Sequence, residues 1–294
     1  MKASSSFPWA KQFQIQSKVD LDFVIGQDVG FPVGMQRKSP PEFRRRVIAA
    51  MASYRLQLSS IDYTLKRYVA SDKGEHDDVS LGDRVSDYLR DSVTVLMTQL
   101  RSLHTEYPAF GVFGAEITLF RVPHSIDTAR MLSNRGLLLE VLPILRLCLE
   151  MIAWTSVAFY MSNEDEVVAL KAHSCISQLK SVYETSGKIY GYLSTFSHWG
   201  HVVHGEFLEF EQEGVAVLQA SVRYRAMALA LCLVILDLLV EVARRLYGDR
   251  SEKLVLEIQG RLEKDSLRKT YQLLSQIAEL TGLDDLSEIR SFLE

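Results

Sequence analysis

Between Met227 and Leu236 the chain carries no polar side chain at all, inside a helical pattern that runs from about Val215 to Tyr247 and stops at Gly248-Asp249. Spanning a bilayer takes about 20 consecutive apolar residues. This run ends sooner, at Asp237 and Glu241, so it reads as a core helix. The rest of the chain supplies helices to surround it. Val47, Met51, Tyr54, Leu58, Ile61 and Leu65 recur at three- and four-residue intervals after the entry signal Ser39-Pro40-Pro41-Glu42. Val85, Leu89, Val93, Leu96 and Leu100 mark one face of a helix from about Leu81 to Leu103.

Tyr107-Pro108 to Pro123 reads as an irregular connection, partly extended between Phe110 and Arg121. It leads to a helix from Ser125 to Asn134, a break at Gly136, and a long helix from Leu137 to Met161 in which Pro143 predicts a bend. Ser162-Asn163 with Glu164, Asp165 and Glu166 predicts the start of a helix reaching Tyr183. A further helical segment covers 186–204, Phe207 to Gly214 is acidic and irregular, and the tail forms a helix from Glu252 to about Thr281, stopped by Gly282, and a short capped turn from Asp284 to Leu293.

These patterns predict an all-α fold, an antiparallel bundle of about seven or eight helices. Residues 1–38 form a non-helical arm, 39–124 a helical hairpin with its connection, 125–247 the core bundle and 248–294 helices packed on it. In the arm, Phe13, Ile15, Val19, Leu21 and Phe23 alternate with polar residues, as in an extended strand. A lone strand must find a partner for its backbone, either Phe110 to Arg121 or a second copy of the chain. A twofold homodimer is the expected partner state.

The net charge of −4 argues against a general polyanion binder. Charge is uneven, however. Arg37, Lys38, Arg44, Arg45, Arg46, Arg55, Lys66 and Arg67 precede an acidic stretch of Asp72, Glu75, Asp77, Asp78, Asp83, Asp87 and Asp91. The two segments either pair with each other, or the trio Arg44, Arg45 and Arg46 faces phosphate. The 3 cysteines, Cys148, Cys175 and Cys232, are far apart in apolar helical patterns, as buried reduced thiols of a cytosolic protein would be. No secretory signal is visible and no membrane association is expected.

Polar residues at helical spacing stand out against this background: Arg130, Ser133, Asn134 and Arg135 before Gly136, Glu140, the pair Arg146 and Glu150, then Tyr190, Ser194, His198 and His201. Buried polar groups must be paired, so these residues should meet in one cluster, either a structural knot or an active site. At about 100° per residue, Ser194, His198 and His201 lie roughly 40°, 80° and 20° from Tyr190, on one stripe. Arg146 and Glu150 sit one turn apart and form an ion pair, structural, catalytic or exposed. A hydroxyl bond to the preceding turn is the ordinary role of a serine such as Ser194. His198, His201 and His204 with Glu206 suggest metal ligands, yet His204 lies about 120° from His198, so no metal is expected. No cofactor loop of the Gly-rich types is present, and no cofactor is expected.

The order Leu132-Ser133-Asn134-Arg135-Gly136, Glu140, Arg146-x3-Glu150 and Tyr190-x2-Leu193-Ser194-x3-His198 resembles a family of all-helical bacterial proteins, over roughly residues 125 to 245. That family is similar to the HEPN group of helical domains, many of them ribonucleases of toxin–antitoxin and antiphage systems. The resemblance implies RNA or a nucleotide as partner and a site built from Arg146, Glu150, Tyr190, Ser194, His198 and His201. HEPN ribonucleases carry Arg-x4-6-His on one helix; here Arg101-x2-His104 and Arg121-x2-His124 are too short. Nuclease chemistry would need Arg146 and His198 to meet across two helices, arginine stabilising the phosphorane and histidine moving the 2′-hydroxyl proton. The competing expectation is a non-catalytic interaction or regulatory subunit whose polar cluster fixes helix register.

Overall fold

The computed structural model describes residues 12, 23–25, 29–31, 41–55, 57–67, 80–106, 108–197, 208–211, 214–217, 221–260 and 268–293. The fold is all-α. Eleven α-helices and two short antiparallel hairpins occur among the described residues, and the chain divides into compact units of residues 1–84 and 85–294.

In the first unit β1 (Phe23–Ile25) pairs with β2 (Val29–Phe31), Phe23 opposite Phe31. Of the strand expected over Phe13 to Phe23, its last residue thus finds a partner in its own chain, while the preceding residues 13–22 lie outside the described residues. The Pro-Glu signal does open α1 (Pro41–Arg55), and α2 (Ile61–Arg67) packs against it. Buried hydroxyls of Ser53 and Thr64, 2.6 Å apart, join the two. The next helix, α3 (Leu81–Ser102), leads into the second unit.

There the expected irregular connection is instead the first half of α4 (Phe110–Asn134), a helix that runs through Pro123. An interior proline costs about 3 kcal/mol. The helix recovers more by burying Leu119, Val122 and Ile126, each worth roughly 1.5–3 kcal/mol. Being helical, Phe110 to Arg121 offers no strand to the arm. The break at Gly136 is as expected. Leu137 N–H reaches back to the Leu132 carbonyl at 3.2 Å and Gly136 N–H to that of Ser133 at 2.8 Å, a Schellman turn. Gly136 takes φ of +71°, and a Cβ there would lie 2.7 Å from the Ser221 carbonyl oxygen. Helix α5 (Leu138–Ala158) then returns along α4, with Pro143 inside it.

Asn163 caps α6 (Glu164–Ala169) by accepting from the Asp165 and Glu166 amides. This helix stops well short of Tyr183, and two 3-10 turns follow, Ala172–Cys175 and Gln178–Ser181. The reason lies in burial. No side chain from 168 to 174 is buried, so a longer helix would have no apolar face there to hold it. The turns instead carry Cys175, Ile176, Leu179 and Tyr183 inward. After α7 (Ser186–Ser197) comes a hairpin, β3 (Leu208–Glu211) and β4 (Gly214–Val217), where an acidic irregular segment and the start of a helix were expected. Leu208-Glu209-Phe210-Glu211 has period-two patterning, and the β-branched Val215 and Val217 suit its partner strand.

The core helix α8 (Val222–Tyr247) starts at Ser221, whose hydroxyl accepts from the Tyr224 amide at 3.0 Å. Every residue from Tyr224 to Ala243 is buried, against α4, α5 and the C-terminal helices α9 (Glu252–Gln259), α10 (Lys269–Thr281) and α11 (Asp284–Ser291). The single helix expected over Glu252–Thr281 is broken because Gly260, at φ +76°, ends α9; Gly282 ends α10 as expected. Helix α5 and the helical span Val222–Gln259 that opens with α8 are long and apolar enough to cross a membrane, and the apolar window of the second is wholly buried in this fold.

Polar groups on α8 fix what surrounds it. Asp237, fully buried, accepts from Arg268 at 2.7 Å, Gln259 at 3.0 Å, Tyr183 at 3.3 Å and the Thr270 hydroxyl. Glu241 takes a second Arg268 contact at 3.4 Å. Burial pushes the Asp237 carboxyl above its ordinary range, opposed by Arg268 and Thr270. Asp237→Ala would leave Arg268 buried without its nearest countercharge and should cost about 3–5 kcal/mol, read as a lowered urea midpoint. Because the folded carboxyl holds its proton to higher pH than the unfolded one, wild-type stability contains a term that falls as pH rises past 3.8. The stability lead of wild type over Asp237→Asn should therefore narrow from acid toward neutral pH.

Candidate functional site at the seam of two helices

Helix α5 buries Leu145, Cys148, Leu149 and Ile152 and leaves Arg146 and Glu150 at the edge of that stripe, 24% and 22% exposed. Helix α7 packs beside it through Ile189 and Leu193, which places Tyr190 at the same edge. Three groups close a ring there. Arg146 donates through Nε to Glu150 Oε1 at 3.1 Å and through Nη2 to the Tyr190 hydroxyl oxygen at 3.2 Å. The Tyr190 hydroxyl donates to the same Glu150 oxygen at 3.2 Å. The guanidinium carbon also sits 5.4 Å from the Tyr190 ring centroid, within cation–π range. Burial alone would lower the Arg146 guanidinium; the Tyr190 hydroxyl and Glu150 outweigh it and shift it upward. Arg146 is a permanent cation held by a shared carboxylate.

One turn along α7, Ser194 departs from expectation. Its hydroxyl is buried and has no hydrogen-bond partner among the described residues, whereas Thr195 and Ser197 bond back to the Gly191 and Leu193 carbonyls at 2.9 and 2.5 Å. A hidden polar atom is costly unless something bonds it, and none of the described residues bonds the Ser194 hydroxyl. His198, His201 and His204 lie outside the described residues. No group of His, Cys, Asp or Glu suited to a metal ion occurs among the described residues.

The remaining polar residues of the sequence cluster bond elsewhere. Arg130 binds Asp127 at 2.8 Å and Ser86 at 3.1 Å. Asn134 donates to the same Ser86 at 2.8 Å and accepts from Arg225 at 3.1 Å. One expected cluster is thus two. The pair at the α5–α7 seam is half-exposed, whereas Arg130, Asn134 and Arg225 are buried and tie α3, α4 and α8 together. Ser86 and Arg225 carry no spacing signal that links them to Arg130; only the packing of three helices brings them together.

On α1, Arg45 and Arg46 both reach Glu42, at 3.1 and 3.3 Å, and Arg44 belongs to the same helix. Arg90 takes Asp87 and Asp91, each at 3.0 Å, from within the acidic stretch. Cys148, Cys175 and Cys232 are free and buried, and burial pushes the Cys232 thiol up to about 12.

Compared with protein-family models, curated proteins and solved structures, the chain gives no match. The seam's own energetics can be tested. Tyr190→Phe removes the hydroxyl that joins Arg146 to Glu150 while keeping the ring beneath the guanidinium. It should cost about 1–3 kcal/mol, as expected for hydrogen bonds to charged groups, measured by urea unfolding.

Proposed function

We propose that this chain is a HEPN-like helical protein of the bacterial cytosol that acts on RNA or nucleotides, in antiphage defence or a toxin–antitoxin type of system. The observation that carries the reading is the meeting of Arg146, Glu150 and Tyr190 across α5 and α7, one turn from the buried Ser194 hydroxyl, which has no partner among the described residues. A fixed cation, a carboxylate, a phenol and a serine hydroxyl are groups that hold and polarise a phosphodiester. The basic run Arg44-Arg45-Arg46 on α1 is the stretch we assign to phosphate, moderated by the Glu42 that Arg45 and Arg46 share.

The closed ring favours a second reading as well. Arg146 is already bonded to two neighbours, so the seam can serve purely to fix helix register in an interaction or regulatory subunit. One assay separates the two. Purified protein incubated with total RNA should cleave it, and His198→Ala should abolish cleavage without changing thermal stability. Absence of cleavage in wild type, or its persistence in His198→Ala, defeats the enzyme reading. A folded Arg146→Met, Glu150→Leu pair that keeps full biological activity supports the subunit reading.

The same proposal includes a homodimer in which the N-terminal segment takes part. Light scattering should give a dimer for the full chain and a monomer for one lacking residues 1–35. A monomer in both cases refutes it.

A further inference from the structure

On the face of α4 that includes Ile117, Arg121 and His124, an open groove of about 480 Å³ lies against Met151 and Trp154 of α5 and Ala172 of the first 3-10 turn. That volume falls within the roughly 300–1,000 Å³ of small-molecule sites, and so does its make-up, an apolar lining with few polar groups. The two charged or titratable side chains are three residues apart on one helix, so they project from the same side. Both are exposed, and neither side chain has a hydrogen-bond or ion-pair partner among the described residues. This sets Arg121 apart from Arg146, Arg130, Arg225 and Arg268, each bonded to a carboxylate, amide or hydroxyl.

The aromatic wall is fixed in place. Trp154 donates its indole N–H to the Leu170 carbonyl at 3.3 Å. Gly114 leaves the ring its space, since a Cβ there would stand 3.0 Å from the indole edge. Ile117 flanks the wall with 54% of its surface exposed, far more than a core aliphatic keeps.

We infer that this groove binds a nucleoside monophosphate, its base against Trp154, Ile117 and Met151 and its phosphate on Arg121 and His124. The inference rests on the reading that the protein acts on RNA or nucleotides, and gives that reading a ligand-binding site apart from the α5–α7 ring. Charge complementarity selects the occupant. An apolar peptide would leave the Arg121 and His124 donors without acceptors, and inorganic phosphate would leave the apolar walls uncovered. A planar base carrying a phosphate satisfies both. The phosphate belongs either to a free nucleotide or to the end of an RNA strand.

Calorimetric titration with adenosine 5′-monophosphate, adenosine, and an oligoadenylate with and without a 5′-phosphate tests this. The wild type should bind the monophosphate at least about tenfold more tightly than adenosine, a gap of one charge-assisted hydrogen bond. Arg121→Gln, at an exposed site, should lose that tenfold. Ala172→Phe, which fills the apolar part, should weaken monophosphate and adenosine alike while melting as the wild type does. Tighter binding of the 5′-phosphorylated oligonucleotide than of the monophosphate assigns the groove to an RNA end; equal or weaker binding assigns it to the free nucleotide. No binding by the wild type, equal affinity for adenosine, or indifference to both substitutions overturns the inference. Nucleotide binding without RNA cleavage leaves the groove standing and removes the nuclease reading. Cleavage without nucleotide binding does the reverse.

Discussion

The buried contact between Asp237 and Arg268 is the constraint on which the second unit depends. A helix buried on every side, as α8 is from Tyr224 to Ala243, can pack against neighbours in many rotations, because apolar surfaces are weakly selective. One carboxylate in the middle removes that freedom. Asp237 must face Arg268, Gln259, Thr270 and Tyr183 at once, so it fixes the rotation of α8 and the places of α9, α10 and the Tyr183 turn together. Such a pair adds little net stability of its own, since desolvating two charges costs about what their attraction returns. Its effect is to exclude other packings. The Arg130, Asn134, Ser86 and Arg225 network does the same where α8 meets α4, with Ser86 joining α3 to α4.

Much of this was legible in the chain. The apolar run of α8, the Asn163 cap and the stops at Gly136 and Gly282 follow from local chemistry, which acts wherever those residues stand. Where the structure departs from the local pattern, burial overrides a local signal or withholds support from it. Pro123 signals a break, yet Leu119, Val122 and Ile126 are buried around it. The acidic start of α6 signals a long helix, yet residues 168 to 174 have no buried face. Gly260 inside an otherwise helical tail is the reverse case, a true stop that the periodicity on both sides conceals.

The candidate sites differ in the same way. Arg146 and Glu150 were legible as an i, i+4 pair, and Tyr190 as a residue on a shared stripe, because helical spacing is local. The groove at Arg121, His124 and Trp154 was not, for it needs α4 to continue through a proline and Trp154 to arrive from another helix. Function separates along a physical line as well. In the ring, hydrogen-bond capacity is largely spent inside the protein. At Ser194 and in the groove none of it is spent on the described residues, and unspent capacity is what a ligand can use.

The proposal that the α5–α7 seam acts on RNA is open to test by hydrogen–deuterium exchange on the protein with and without single-stranded RNA. RNA should slow exchange in peptides covering 186–197, where Tyr190 and Ser194 lie, and around Arg146 in 138–158. Exchange that is unaltered in both segments at an RNA concentration that saturates binding would contradict it.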